Sequence, residues 1–386
     1  MASRSGILVF NAGSSSIKFA FFDDDLRRGV SGLADEIGGS GRLRIGDTSE
    51  AARFADHAAA LQAILGALAG RGIRLDGVRG TGHRVVHGGR TLTAPCRLTP
   101  EAIAAIEACV PLAPLHNPHN LTLIRAVAAA APQLAQYACF DTAFHATNPD
   151  VALRYAIPEA EDRKGIRRYG FHGISFSGLV RQLPELAGRP LPARLLALHL
   201  GNGVSLCAIR DGRSVATTMG YSPLEGLTMG TRSGGIDGNA VLRLASEHGI
   251  EGAARILNRE SGLRGLGGSS DMRALLAAGT PQADFAIRHF VYWAVRHAGS
   301  MMAAMGGLDA LAFTGGIGEH AAPVRAGIMD GLAWTGLRVD TQANARNAPP
   351  LHDQPSAIEA WIVPADEERT IALDVLHALE AAAPSS

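Results

Sequence analysis

The sequence predicts an α/β protein of two duplicated domains that share one plan and face each other across a cleft. Three observations carry that expectation. An apolar strand, a small-residue turn and a second apolar strand follow one another from Ile7 to Phe21, ILVFNAGSSSIKFAF. The same plan returns about half a chain later at Leu195–Ile209, LLALHLGNGVSLCAI, with Gly201 in the place of Gly13. A third apolar strand candidate, Ala310–Phe313, runs into another small-residue turn, Phe313–Glu319. Repetition at half-length implies two similar α/β domains with the glycine-rich turns meeting at the cleft.

Bulk properties agree with a two- or three-domain globular chain. At 386 residues each domain can bury a core, and 47% hydrophobic with 19% charged residues is a globular composition. Formal net charge is +0, which leaves no electrostatic footprint for nucleic acid or anionic membrane. The 4 cysteines, Cys96, Cys109, Cys139 and Cys207, lack CxxC spacing and are expected to be small buried hydrophobes in a reducing compartment. The first apolar run is too short for a signal peptide, and none approaches membrane-spanning length. A cytoplasmic protein is expected.

Between the turns, strands alternate with helices. Asp56–Leu68, Glu101–Val110, Leu121–Ala130 and Asp284–Met305 have helical character. In the last, Phe285, His289, Val291, Tyr292, Val295 and Met302 recur near a 3.6-residue period, the mark of a core-facing or dimer-facing helix. Its His289 and His297 are not expected to be ligands. Ser40–Glu50 is expected to be a hairpin or loop, and Ala381–Ser386 a frayed tail.

The turn Ala12–Ser16 has no bulk, several N–H and hydroxyl donors and a strand on each side, as a phosphate-holding loop needs. Lys18 lies just beyond it. Only Lys18 and Lys164 among the 36 Lys+Arg residues are lysines, so a compact point charge is kept beside a candidate phosphate loop. Five further segments offer Arg, His and Asp between regular elements: Gly82–Gly89, Leu115–Pro118, Phe140–His145, Arg167–Gly173 and Met229–Gly234. Together they imply a polar cleft for a multiply charged substrate. Metal-ligand spacing such as HExxH is absent from the sequence, as are the P-loop and the HRD and DFG motifs of protein kinases. The strand–AGSSS–strand hairpin with its echo fits the actin/hexokinase/Hsp70 type of two-domain nucleotide cleft.

Along its whole length the chain resembles the acetate kinase family. The resemblance rests on NAGSSSIKF (Asn11–Phe19), GHRVVHGG (Gly82–Gly89), LHNP (Leu115–Pro118), FDTAFH (Phe140–His145), RRYGFHG (Arg167–Gly173) and HLGNG (His199–Gly203). It continues in SPLEGLTMGTRSG (Ser222–Gly234), FTGGIGE (Phe313–Glu319) and DEERTIALD (Asp366–Asp374).

The resemblance implies two RNase-H-like, actin-like domains. The first is expected to span 1–145 plus 369–386, and the second, with most nucleotide contacts, 146–368. It also implies reversible phosphoryl transfer from ATP to acetate, giving ADP and acetyl phosphate, with Mg²⁺ or Mn²⁺, in a homodimer. By resemblance Asn11 and Glu367 are magnesium-associated, and Ser14, Ser16 and Lys18 lie by the phosphates. Arg84 and Arg232 grip the carboxylate and the moving phosphoryl group, His172 contacts the transition state, and Asp141 is the catalytic aspartate. His199, Leu200, Gly201, Asn202 and Gly203, with Asp271, Met272 and Arg273 and with Gly315, Gly316, Ile317, Gly318 and Glu319, are nucleotide-binding. Val86, Leu115, Phe171 and Pro223 form the pocket for the methyl group.

Physical chemistry agrees with that assignment. A carboxylate acceptor is already ionised at pH 7 and needs no general base. The repulsion between two anions is what arginines, histidine and a divalent ion offset. Asp141 is therefore expected to orient an arginine or a metal-bound water rather than to take a proton. The chain departs from the family pattern at Ile174 and Phe176, where FHGTSH is usual, and at Gly235 and Gly238, where an acid and a proline are usual. The first change is expected to alter how the His172 loop is held, and the second to loosen the backbone after Arg232.

Two other readings compete. Propionate or butyrate as acceptor keeps the chemistry, since one methylene is worth only about 1–3 kcal/mol of discrimination. An actin-like or Hsp70-like nucleotide switch would leave Arg84, His172 and Arg232 without a purpose.

Overall fold

The computed structural model describes residues 4–382. The chain divides into two compact units, one running to Phe144 and resuming at Asp366, the other covering His145–Ala365.

In the first unit, strands β1 (Ile7–Ala12), β2 (Ile17–Phe22), β3 (Arg28–Asp35), β4 (Ser40–Ile45), β5 (Thr48–Arg53), β6 (Gly80–Val85), β7 (Cys96–Arg97) and β8 (Gln136–Phe140) form one sheet ordered β5-β4-β3-β2-β1-β6-β8-β7. In the second, β9 (Arg194–Leu200), β10 (Val204–Arg210), β11 (Arg213–Thr217), β12 (Ala310–Thr314) and β13 (Glu359–Ile362) are ordered β11-β10-β9-β12-β13. The duplication is visible in these orders. β1 pairs antiparallel with β2 and parallel with β6; β9 pairs antiparallel with β10 and parallel with β12. The two hairpins singled out in the sequence thus hold the same place in sheets of one topology, and two α/β domains of one plan are observed as expected. The first unit adds β4 and β5, so Ser40–Glu50 is the start of a regular hairpin.

The local reasons are ordinary ones. The helix His57–Ala69 starts where Asp56 accepts from the Ala59 N–H (2.8 Å). It packs Leu61, Ile64 and Leu68 with Leu8, Phe10, Phe19 and Phe21 of β1 and β2. The helix Glu367–Ala382 crosses β6 so closely that a Cβ on Gly82 would meet Ile371 at 2.4 Å. Ala381 and Ala382 end that helix, whereas the rest of the expected tail, 383–386, lies outside the described residues.

Two expectations change. Gly315–His320 is a short helix rather than an open turn, begun by Gly315 at φ +76°. Pro281–Met305 buries Ala286, Phe290, Ala294, Ala298 and Met301, while Phe285 and Tyr292 stay 49% and 61% exposed. Four alanines share the inner face with Phe290 and three methionines; Met302, picked out by periodicity, is buried there, while His289, Val291 and Val295 are half-buried.

Buried histidines set a pH limit on stability. Burial lowers His83, His87 and His145 each to about 4. Unfolded imidazoles titrate near about 6.5, so between the two values the unfolded chain binds more protons. The stability these neutral rings confer is complete above about pH 6.5 and is lost as pH falls toward about 4. The melting temperature is expected to drop on going from about pH 7 to about pH 5; a constant value in calorimetry over that interval would contradict it.

Candidate active site

In the first unit the candidate residues gather at the carboxyl ends of parallel strands, where α/β sheets place ligands. Asn11 lies near the end of β1, Arg84 near the end of β6, and Asp141 directly after β8. The Arg84 fork donates to both Asp141 oxygens, Nε to Oδ1 at 3.0 Å and Nη2 to Oδ2 at 2.5 Å. Its Nη1 donates to Asn11 Oδ1 at 3.2 Å, and Glu367 Oε2 lies 3.7 Å from Nε. Asp141 is only 1% exposed. Burial works against the Arg84 charge, but Asp141, Glu367 and Glu368 outweigh it and raise its pKa. Arg84 is therefore a fixed cation.

Three neighbours fix this constellation. Asn120 Oδ1 accepts from the Val86 N–H (3.2 Å) while its Nδ2 donates to the Ala12 carbonyl (3.0 Å), tying the end of β6 to β1. Asn117 Oδ1 accepts from the His87 N–H and its Nδ2 donates to the His87 carbonyl. His57 Nε2 lies 2.7 Å from the Gly13 carbonyl and holds the AGSSS turn, which closes on itself through Gly13 N–H to Ser16 O at 2.8 Å. Asn117 falls in the Leu115–Pro118 segment without having been given a role, and Asn120 and His57 were not singled out from the sequence. The signal was available in His116-Asn-Pro-His-Asn120, two amides spaced along the start of one helix.

Ser14 and Ser16 lie in that turn. Lys18 is opposite Asn11 in the hairpin, and its ammonium is paired with Glu368 Oε1 at 2.6 Å. Arg28 pairs with Asp366 beside it. Val86 is buried, whereas Leu115 is 52% exposed.

In the second unit His172 has φ +59° and precedes the helix Gly173–Ala187. Its Nδ1 lies 2.8 Å from Ser205 Oγ, and its ring stacks on His199 at 4.0 Å between centroids. His199 Nδ1 in turn lies 2.9 Å from Ser175 Oγ. The turn Gly201–Gly203 joins β9 to β10 as expected. A Cβ on Gly203 would come within 3.1 Å of His172 Nε2 and 3.5 Å of Arg232 Nη1, so the bare turn, the imidazole and the guanidinium border one spot. Arg232 Nη1 donates to the Pro223 carbonyl (3.3 Å). Gly230 N–H donates to the Asn202 carbonyl (2.9 Å), joining the Arg232 loop to the turn.

Gly315 backs onto the end of β9, since a Cβ there would meet the Leu200 carbonyl at 2.9 Å. His199–Gly203 and Gly315–Glu319 are thus neighbours. Glu319 Oε1 accepts from the Ala365 N–H. Asp271 caps the helix Met272–Ala278 and pairs with Arg273 at 2.8 Å, while Met272 is buried. Phe171 is buried.

Of the departures from the family pattern, Ile174 and Phe176 lie in the core, whereas Gly235 and Gly238 are exposed. Phe176 is fully buried with its edge toward His199 (6.5 Å). Gly235 N–H donates to the Gly226 carbonyl, and Gly238 begins a helix capped by Asp237.

Oxygen donors from Asn11, Asp141 and Glu367 meet around one guanidinium, a set that suits a hard divalent ion such as Mg²⁺. Among the described residues no group of three or more His, Cys, Asp or Glu is arranged to hold a metal.

The sequence profile of the acetokinase family matches residues 6–373. The chain belongs to that family. Among its relatives, an acetate kinase of Nitrobacter hamburgensis is 43% identical over 388 residues, covering 97% of this chain and 96% of the relative. One of Deinococcus deserti is 44% identical, covering 97% and 98%. Among solved structures, Porphyromonas gingivalis acetate kinase is similar with a TM-score of 0.90 at 33% identity, covering 97% of this chain and 100% of that one. A propionate kinase from Francisella tularensis is similar with a TM-score of 0.91 at 35% identity, covering 96% and 98%. The acetokinase family is the one that the sequence motifs imply.

Proposed function

We propose that this member of the acetokinase family is an acetate kinase, transferring the γ-phosphoryl group of ATP to acetate in a reversible reaction that forms acetyl phosphate and ADP. The observation that carries the reading is the commitment of both Asp141 oxygens to Arg84. An aspartate so engaged is poorly placed to deprotonate a hydroxyl, but it is well placed to hold a guanidinium for an acceptor that is already an anion.

The other roles follow from placement. Arg84 and Arg232 bind acetate and the moving phosphoryl group, and His172 contacts the transition state. Phosphoryl transfer of this kind asks the protein for position and charge rather than covalent chemistry. Val86, Leu115, Phe171 and Pro223 receive the methyl group. Ser14 and Ser16 donate toward phosphate oxygens, while Lys18 supports that loop through Glu368. His199–Gly203, Asp271–Arg273 and Gly315–Glu319 bind the nucleotide. Asn11 and Glu367 hold Mg²⁺ or Mn²⁺, which when bound offsets phosphate charge.

A hydroxamate-trapping assay across formate, acetate, propionate and butyrate, with ATP, GTP and pyrophosphate as donors, tests the reading. Acetate with ATP should give the highest kcat/KM. A preference for propionate would move the protein toward the other named neighbour, and ATP hydrolysis indifferent to carboxylate would overturn the proposal.

The protein acts as a homodimer in the cytoplasm, and no described helix is long and apolar enough to cross a membrane. The outward Phe285 and Tyr292, with exposed Ile236, Leu242 and Ile250, supply apolar surface that a second copy would cover. Light scattering at micromolar concentration should give twice 40.2 kDa; a monomer would refute it.

A further inference from the structure

We infer that His145 is a positioning residue for His172, acting through the Phe171 carbonyl; the inference rests on the reading that His172 contacts the transferring phosphoryl group.

His145 is fully buried, with Nε2 at 2.9 Å from Phe171 O and Nδ1 at 2.9 Å from Ser214 Oγ. A carbonyl only accepts, so Nε2 carries the hydrogen. Burial lowers the pKa of the ring to about 4, so it is neutral near pH 7 and Nδ1 accepts from the Ser214 hydroxyl. Ser214 is itself fixed on β11. Its carbonyl accepts from Thr147 Oγ1 (2.8 Å), and Cys207 Sγ lies 3.2 Å from its hydroxyl.

The Phe171 carbonyl belongs to the peptide plane whose rotation sets φ of His172. That φ is +59°, the left-handed region that non-glycine residues rarely adopt. Such a backbone is strained and persists only where its surroundings over-determine it. Gly170, at φ +78°, permits the ring to lie flat against this turn, because a Cβ there would meet His145 Cδ2 at 2.6 Å. His145 thus fixes the backbone on one side, while Ser205 and His199 fix the imidazole on the other. The hydroxyl of Ser214 selects the tautomer that makes this possible.

Two substitutions test the idea. His145→Phe keeps a ring but removes the donor; Ser214→Ala keeps the ring but no longer selects its tautomer. Each should lower kcat about 10–100-fold, since misplacement by about 1 Å costs on that scale. KM for acetate and ATP should stay within about threefold. His145→Gln, which retains an N–H, should recover part of the loss. In a His172→Ala background neither substitution should lower kcat further, because the imidazole they aim is gone.

An equal further loss in that background would show a general structural role and overturn the inference, as would wild-type kcat in both single variants where His172→Ala itself loses turnover. The ¹H–¹³C resonance of the His172 ring should also shift in both, whatever the rate. If it does not move, His145 does not position His172. If it moves but His172→Ala leaves turnover intact, the linkage stands and the assigned role of His172 fails.

Discussion

Arg84→Ala is expected to lower acetate kinase turnover by at least about 10²–10³-fold, the cost of losing one transition-state donor, and by more because a charge is lost with it. The same substitution should destabilise the first unit. Arg84 separates Asp141, Asn11 and Glu367, and Asp141 is almost wholly buried. Removing one partner of a buried pair leaves an uncompensated charge and costs about 3–5 kcal/mol. Two controls separate these effects. Arg84→Lys restores charge without the bidentate fork, so it should recover some melting temperature and little turnover. Arg84→Ala with Asp141→Asn removes the orphaned charge as well; it should regain stability and remain inactive. Near-normal turnover in Arg84→Ala, with loss confined to ATP affinity, would show that Arg84 serves the nucleotide and not the reacting centre.

The fold was legible because each hairpin carries its own signal: apolar strand, bare turn, apolar strand. The repeat then supplied the topology, and β1–β2 and β9–β10 do occupy equivalent places in their sheets. Where pattern misled, a tertiary requirement overrode local chemistry. Gly-Gly-Ile-Gly is a poor helix by composition, but Gly315 is needed at φ +76° against Leu200, and the segment from it forms a short helix. The helix Pro281–Met305 misled for a related reason. Half of its buried stripe is alanine (Ala283, Ala286, Ala294 and Ala298), which a search for large apolar residues passes over. In the candidate site, charged residues were found by type and motif. Asn120 and His57 were not, and Asn117 was reached only inside Leu115–Pro118 with no role of its own, because their role lies in partners distant in sequence: Ala12, Gly13 and His87. The engagement of Lys18 with Glu368 was hidden likewise, since lysine beside a phosphate loop has the same sequence whether it faces phosphate or a carboxylate.

Arg232→Ala is expected to match Arg84→Ala in lost turnover and to differ from it in stability. The loop that carries Arg232 is tightly built: Met229 N–H donates to the Arg232 carbonyl (3.2 Å), and Gly262, at φ +65°, lies where a Cβ would meet the Met229 carbonyl at 2.2 Å. The guanidinium is thereby presented by rigid backbone, the kind of preorganisation that makes a donor effective in a transition state. Among its partners is the Pro223 carbonyl, and a carbonyl short of a donor costs about 1–3 kcal/mol, less than an uncompensated buried charge. Melting temperature should therefore fall less than in Arg84→Ala, while kcat drops by about 10²–10³-fold or more. Lysine should rescue poorly, because a point charge does not reproduce the fork. His172→Ala, which removes the ring beside Gly203 and Arg232, should lower kcat more than it raises either KM, as a contact made chiefly in the transition state does. In both variants the dissociation constant for ATP should stay within about threefold of wild type, because binding common to ground and transition state is left in place. Steady-state kinetics and direct nucleotide titration decide it: unchanged kcat with weakened ATP binding in Arg232→Ala would assign that arginine to the nucleotide and leave the phosphoryl group to Arg84 alone.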